Sequence, residues 1–480
     1  MNSSKNPQQN GHEIKTLMIL GASGDLTARL LLPGLASLLS QGGAKGLKLV
    51  GAGYDEWWQE KWRGQVQKSF SASSGGENAA NGAASEEALE EIAKNSIYHC
   101  VDVTAEGELA KVLKSVKQPV AVYFALPPSI TEKACDLLTP DDLPEHTRFV
   151  MEKPFGSGQE SARKLNKTLA ALLPENHIYR VDHFRGTGTV LNILGLRFAN
   201  HFLEPVWNSR HIEKVEIYFD ENITLEGRAG FYDSTGALRD MMQSHLLQIM
   251  SFIALDEPAT LAEQDVRDRI AAVLRAAEVG PDYSKTTRRA RYTAGKIGDR
   301  KVPNYVDEPG VDGQNNTETL AEIEVHINNS RWTGVPFILR SGKSLAKNKM
   351  EAIVTFKPLP HLPTGFTGTE TATRIRMGLG PAKLQLDIDV NGPGDIYSLD
   401  RAELKAELND TDLLPYGEVL KAVLTDQAMF FVRGDTAVEC WRIIEPVVEA
   451  WANNDVPIEE YPAGSNGPED WETSREDTPL

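Results

Sequence analysis

Residues 15–20 (KTLMIL) read as a short buried strand, and they run directly into the turn Gly21-Ala22-Ser23-Gly24-Asp25-Leu26. An apolar-periodic stretch over 26–39 follows, so the chain opens as strand, glycine turn and helix. That order constrains the fold more than any other feature. A strand apolar on both faces belongs in a parallel sheet covered by helices on each side, and such a sheet needs further strands of the same kind. They are present at 47–51 (LKLVG), 121–126 (AVYFAL) and 148–151 (RFVM), with helical patterns between them. Glycines let backbone approach a pyrophosphate, and a helix start offers unpaired N–H groups to an anion. The turn is G-x-x-G rather than the full G-x-G-x-x-G, and a glycine turn can also serve only to leave a strand.

From about residue 176 the pattern changes. Longer helices at 189–200 and 237–252 mix with alternating strands at 214–219 and 322–327, which predicts a second, α+β domain. The expected organisation is a flexible tail 1–13, a dinucleotide-binding domain 14–175, an α+β domain 176–463 and a poorly ordered acidic tail 464–480. Within the first domain, 71–86 (SASSGGENAANGAASE) reads as a mobile surface insertion.

Charge and cysteine content narrow the function classes. The 480 residues carry 50 Lys plus Arg against 68 Asp plus Glu, a net charge of −18 that repels nucleic acid and anionic membranes. A small anionic ligand therefore needs a local basic pocket. Three cysteines, Cys100, Cys135 and Cys440, are far apart and form no CxxC, so neither a disulfide framework nor a metal site is expected. The polar N-terminus and the lack of any run of about 18 apolar residues predict no export and no membrane span, hence a cytoplasmic protein.

Further segments bear on chemistry. Residues 123–129 (YFALPPS), with Pro127, and 151–156 (MEKPFG), with Lys153, are Pro-bearing loops after sheet strands, where doubly wound sheets bind ligands. After them come 180–184 (RVDHF), 238–245 (LRDMMQSH) and 336–343 (PFILRSGK). In this order the segments resemble the glucose-6-phosphate dehydrogenase family, whose patterns run GxxGDLxxR, YxALPPS, EKPFG, R[IV]DH[YF], GALRDMxQxH and PFxLRxGK. Similarity extends from about residue 15 to 468, through 197–200 (RFAN), 204–208 (EPVWN) and 431–435 (FVRGD).

The resemblance implies a Rossmann-like domain followed by a larger domain with a mostly antiparallel sheet. It also implies oxidation of a sugar C1 hydroxyl to a 1,5-lactone, with hydride passing to NADP or NAD. Such a step needs a base of near-neutral pKa held by a partner, which a histidine with a carboxylate supplies. By resemblance His245 is that base and Asp182 orients it. Asp240 and Glu221 correspond to acceptors for sugar hydroxyls, Lys343 and Lys153 to contacts around sugar and nicotinamide, and His183 to a phosphate ligand. Gly21, Ser23, Gly24, Asp25, Leu26, Pro127 and Lys153 fall on the cofactor. The large sheet of the second domain implies a homodimer or homotetramer.

The chain also departs from the family. Leu30 stands where a substrate-side lysine is usual, and Phe184 and Thr187 replace a phosphate-binding tyrosine and lysine. Asn348 takes a further basic position, between Lys347 and Lys349. Losing two hydrogen bonds to a charged group, each worth roughly 1.5–3 kcal/mol, weakens phosphate binding on the order of hundreds-fold. Either Arg185 and a nearby lysine rebuild the anion site, or the sugar lacks a 6-phosphate; Arg185 could equally be a solvated helix-start residue. At the cofactor, Tyr54-Asp55 replaces an arginine for the NADP 2′-phosphate, and an acid at this strand end favours a free ribose hydroxyl, hence NAD. A catalytically weak cofactor-binding paralogue is the rival reading, although such a protein has no need of His245, Asp182 and Asp240 together.

Overall fold

Burial of both faces along most of six short strands builds the first sheet. The computed structural model describes residues 13–73, 83–182, 185, 188–368, 370–392, 395–408 and 413–471. Strands β1 (Thr16–Leu20), β2 (Lys48–Gly53), β3 (Ile97–Cys100), β4 (Val120–Phe124), β5 (Arg148–Met151) and β6 (Ile178–Arg180) pair in parallel in the order β3-β2-β1-β4-β5-β6. All five residues of β1 are buried. Leu17 and Ile19 face one core with helices Leu32–Ser40, Gln59–Ser73 and Ala83–Asn95, while Met18 and Leu20 face another with Glu108–Ser115, Pro128–Asp136 and Gln159–Leu172. Each such aliphatic side chain stabilises the body by about 1.5–3 kcal/mol, so a register slip that turned it to water would be costly.

This body comprises residues up to Thr187 together with Ala259–Arg267 and Thr411–Val438. It thus runs past residue 175, because β6 completes the sheet, and it recruits a late helix, Pro415–Leu424, whose Val419, Leu420 and Val423 join the first core. The insertion reads differently from expectation at its ends, where Gln59–Ser73 and Ala83–Asn95 are helical; residues 74–82 lie outside the described residues.

The second body holds Gly188–Pro258, Asp268–Asp410 and Glu439–Leu480. Its strands are β7 (Ile212–Asp220), β8 (Ala277–Val279), β9 (Thr287–Thr293), the hairpin β10 (Gly295–Ile297) and β11 (Arg300–Val302), then β12 (Leu320–Ile327), β13 (Phe337–Gly342), β14 (Lys349–Phe356), β15 (Arg374–Leu379), β16 (Ala382–Asn391), β17 (Leu399–Glu407) and β18 (Ile458–Pro462). Ten of them form one sheet in the order β17-β16-β15-β14-β7-β13-β12-β9-β18, with β8 also on β12. Only the β7–β13 and β9–β18 joins are parallel, so the sheet is mostly antiparallel. Residues 464–471, expected within a poorly ordered acidic tail, are instead packed on the second body. Trp471 is buried against Leu320, Tyr461 and Ala463, and its indole N–H donates to Glu459 Oε1 at 2.9 Å, because an indole gains more in that cluster than in water. Residues 472–480 lie outside the described residues.

Candidate active site

In the first body the strand order reverses between β1 and β4, the place where doubly wound sheets take ligands. Gly21 closes β1 with φ +80°, its N–H donating to Ala52 O at 2.9 Å. A Cβ at this position would lie 2.1 Å from Ala125 O, so the close end of β4 admits only glycine. Thr27 Oγ1 donates to Gly21 O at 3.0 Å, tying the turn to the helix behind it. That helix starts as a π-wound turn, Thr27–Leu31, with Leu26 partly buried at its head and Leu30 exposed. Asp25 pairs with Arg29 at 3.2 Å, and since both are well exposed the pair adds little stability. Gly24 N donates to Gly21 O at 3.0 Å.

Beyond β2, Ser23 Oγ donates to the Asp55 carboxylate, and Asp55 O accepts from the Tyr98 hydroxyl at 2.8 Å. Burial, then the charges of Asp55 and Cys100, push the Tyr98 hydroxyl up to about 12, so it remains a donor. Asp55 is thereby fixed at the strand end beside the glycine turn, while Tyr54 is 79% exposed. Pro127 is exposed at the head of helix Pro128–Asp136, its carbonyl accepting from Ile130 N and Thr131 N at 3.0 Å each. Lys153 is partly buried next to Glu152, whose carboxyl is pushed up by burial and accepts from the Tyr123 hydroxyl. Asp182 is buried directly after β6. A glycine turn at the reversal point, with an acid fixed at the end of β2, suits a dinucleotide whose ribose hydroxyls are free.

Arg185 is not a solvated helix-start residue. It is buried, and its guanidinium donates to Phe431 O at 2.9 Å and Met429 O at 3.0 Å. A cation that donates to backbone carbonyls inside the body acts as a structural tie. His183, Phe184 and Thr187 lie outside the described residues.

In the second body His245 and Asp240 share one helix, but not an ordinary one. Leu238–Leu246 is π-wound, with Leu247 N–H donating to Met242 O, before α-helix Leu247–Ala254 continues. At about 100° per residue, an α-helix would set positions five apart on different sides, whereas i→i+5 bonding turns them closer together. The winding therefore turns Asp240 and His245 nearer to each other around the axis than an α-helix would, with His245 buried and Asp240 half-buried.

Lys343, at the end of β13, donates to Glu221 Oε2 at 2.7 Å, and the backbone joins them too, Glu221 N to Gly342 O at 2.8 Å. Its ammonium lies 5.3 Å from the Tyr232 ring, whose hydroxyl is held well up by burial and by the charges of Glu318 and Asp240. Lys343, Glu221, Tyr232 and Asp240 thus form one polar cluster. Asn348 Oδ1 accepts from Asn222 N at 2.8 Å, Lys347 is exposed, and Lys349 is turned inward over Tyr218 at 4.0 Å. Sequence reasoning missed Tyr232 and Glu318, since nothing local marks a polar residue as buried.

Two family models match the chain: "Glucose-6-phosphate dehydrogenase, NAD binding domain" over residues 18–192 and "Glucose-6-phosphate dehydrogenase, C-terminal domain" over 194–478. The chain belongs to the glucose-6-phosphate dehydrogenase family. Among its relatives, glucose-6-phosphate 1-dehydrogenase of Gluconobacter oxydans is 34% identical over 468 residues, covering 94% of each chain. The enzyme of that name from Treponema pallidum is 36% identical over 479 residues, covering 94% of this chain and 92% of its own. A solved glucose-6-phosphate 1-dehydrogenase from Mycobacterium avium superposes with TM-score 0.83 at 30% identity, covering 96% of both chains. A glucose-6-phosphate dehydrogenase in complex with its substrate glucose-6-phosphate gives 0.84 at 27%, covering 96% of this chain and 97% of the other.

As a member of this glucose-6-phosphate dehydrogenase family the chain is an oxidoreductase that uses NADP or NAD. Among the described residues no group of His, Cys, Asp and Glu could hold a metal ion, and no helix is long and apolar enough to cross a membrane.

Proposed function

We propose that this chain oxidises glucose 6-phosphate at C1 to the 1,5-lactone, with His245 taking the proton of the C1 hydroxyl. What supports this reading is the π-wound segment that carries both His245 and the hydroxyl acceptor Asp240, together with the Lys343–Glu221 pair after β13. A histidine in this position gains a proton as the C1–O bond becomes a carbonyl, and the carboxylate of Asp182 keeps the orienting role that the family resemblance gives it. When bound, the nicotinamide accepts the hydride that leaves C1. Asp240 and Glu221 accept from sugar hydroxyls, Lys343 offers the positive charge, and the glycine turn at Gly21–Gly24 with Asp55 takes the dinucleotide. Fixing the sugar this way replaces a bimolecular encounter with a held geometry.

The same reading gives a cytoplasmic homodimer or homotetramer. Glucose 6-phosphate, glucose and other 6-substituted aldoses compared as substrates, with His245→Asn beside the wild type, test the proposal. The variant is expected to lose about 10²- to 10⁴-fold in kcat. Wild-type turnover in that variant refutes the base, and faster turnover of a non-phosphorylated aldose refutes the substrate.

A further inference from the structure

Residues 317–319 (Thr-Glu-Thr), just ahead of β12, touch both the segment that carries His245 and Asp240 and the backbone of Lys343. Thr317 Oγ1 donates to Asp233 O at 2.6 Å, in helix Ala229–Ala237 that leads into the π-wound segment. Thr319 O accepts from Lys343 N at 2.8 Å. Thr319 Oγ1 also lies 2.8 Å from the Tyr461 hydroxyl, which donates to Lys343 O at 2.6 Å, so the backbone of Lys343 is held on both sides.

Glu318 occupies the centre. Its carboxylate is buried, and Oε1 accepts from Leu238 N at 2.9 Å, the first N–H of the segment bearing Asp240 and His245. A helix start leaves its first N–H groups without intrahelical partners, and an acceptor placed there fixes where the winding begins. Gly236 makes room for it. This glycine has φ +67°, and a Cβ there would lie 2.3 Å from Glu318 Oε1. Burial pushes the Glu318 carboxyl up, partly offset by the Leu238 N–H and by the positive charges of Arg239 and Arg289. A carboxylate kept in so unfavourable a place marks a group whose acceptor is needed there.

We infer that Glu318 is a positioning residue: by capping Leu238 N it sets the register of the π-wound segment and so the placement of His245 and Asp240. This inference rests on the proposed role of His245. A shift of about 1 Å in a reacting group costs on the order of 100-fold in rate, so loss of the cap acts on turnover before it acts on folding.

The test is steady-state kinetics of Glu318→Ala, Glu318→Gln and Glu318→Asp in the full chain, with circular dichroism confirming the fold. Glu318→Ala is expected to lower kcat about tenfold or more while the KM for the cofactor stays near wild type, since the glycine turn belongs to the first body. Glu318→Gln keeps an acceptor oxygen at the same reach and restores most of the rate. Glu318→Asp, a methylene short, does not. Wild-type kcat in a folded Glu318→Ala, or a Glu318→Gln as slow as Glu318→Asp, overturns the inference, and the Gln–Asp comparison decides if the Ala variant does not fold. His245→Asn run alongside reports on the base separately: that assignment falls if His245→Asn is active, whereas the Glu318 role falls only on the Glu318 series.

Discussion

Replacing Asp55 by Asn removes one charge at the end of β2 and little else, because an amide oxygen still accepts from Ser23 Oγ and Asp55 O still accepts from Tyr98. Two effects then act on cofactor choice. The carboxylate repels a 2′-phosphate, and for an exposed residue this lies near the aqueous end of the Coulomb range, about 1 kcal/mol per unit charge at contact, not the ~4 kcal/mol of a partly buried pair. A ribose hydroxyl also bonds a carboxylate more strongly than an amide, by roughly 1 kcal/mol. Together these amount to about 2 kcal/mol, so the ratio of kcat/KM for NADP to that for NAD should rise around 30-fold in Asp55→Asn. Initial rates of nicotinamide reduction with each cofactor, at low and high salt, measure it. The wild type should use NAD at least as well as NADP, and the gain in the variant should shrink as salt screens the charge. An unchanged or lower ratio in Asp55→Asn, or strong NADP preference in the wild type, refutes the argument.

Other outcomes follow from the packing. Gly21→Ala combines φ +80° with a Cβ 2.1 Å from Ala125 O, so cofactor binding, read by fluorescence titration, should weaken by tenfold or more, on the order of 1.4 kcal/mol for each factor of ten. Near-native affinity would show that β4 yields there. Arg185→Met should destabilise the first body by about 1–3 kcal/mol, since it strips buried carbonyls of their donor. A lower thermal midpoint with the sugar KM unchanged is expected; a raised sugar KM at unchanged stability would place Arg185 in the substrate site.

The first sheet was legible in the sequence because each of its strands is decided locally. Residues 15–20, 47–51, 121–126 and 148–151 carry enough apolar side chains to require cover on both faces, and β1, β2, β4 and β5 lie on them. Their edges were less legible: β2 runs on to Gly53, set by hydrogen bonds to neighbouring strands rather than by its own composition. The ordered motifs likewise carried the family, since each is a short contiguous string.

What the sequence by itself determined is therefore the local and the contiguous: a glycine turn after a buried strand, an acid at the end of the next, and the residue types a sugar dehydrogenase needs. Tertiary structure alone decided how they are held. Nothing in LRDMMQSH distinguishes i→i+5 from i→i+4 bonding, and the acceptor that caps this segment, Glu318, comes from 80 residues further along the chain. Arg185 was ambiguous for the same reason, its carbonyl partner Phe431 lying 246 residues away. Side-chain pattern reports which groups must leave water, whereas the partner that satisfies a buried polar group is fixed only when distant segments pack together.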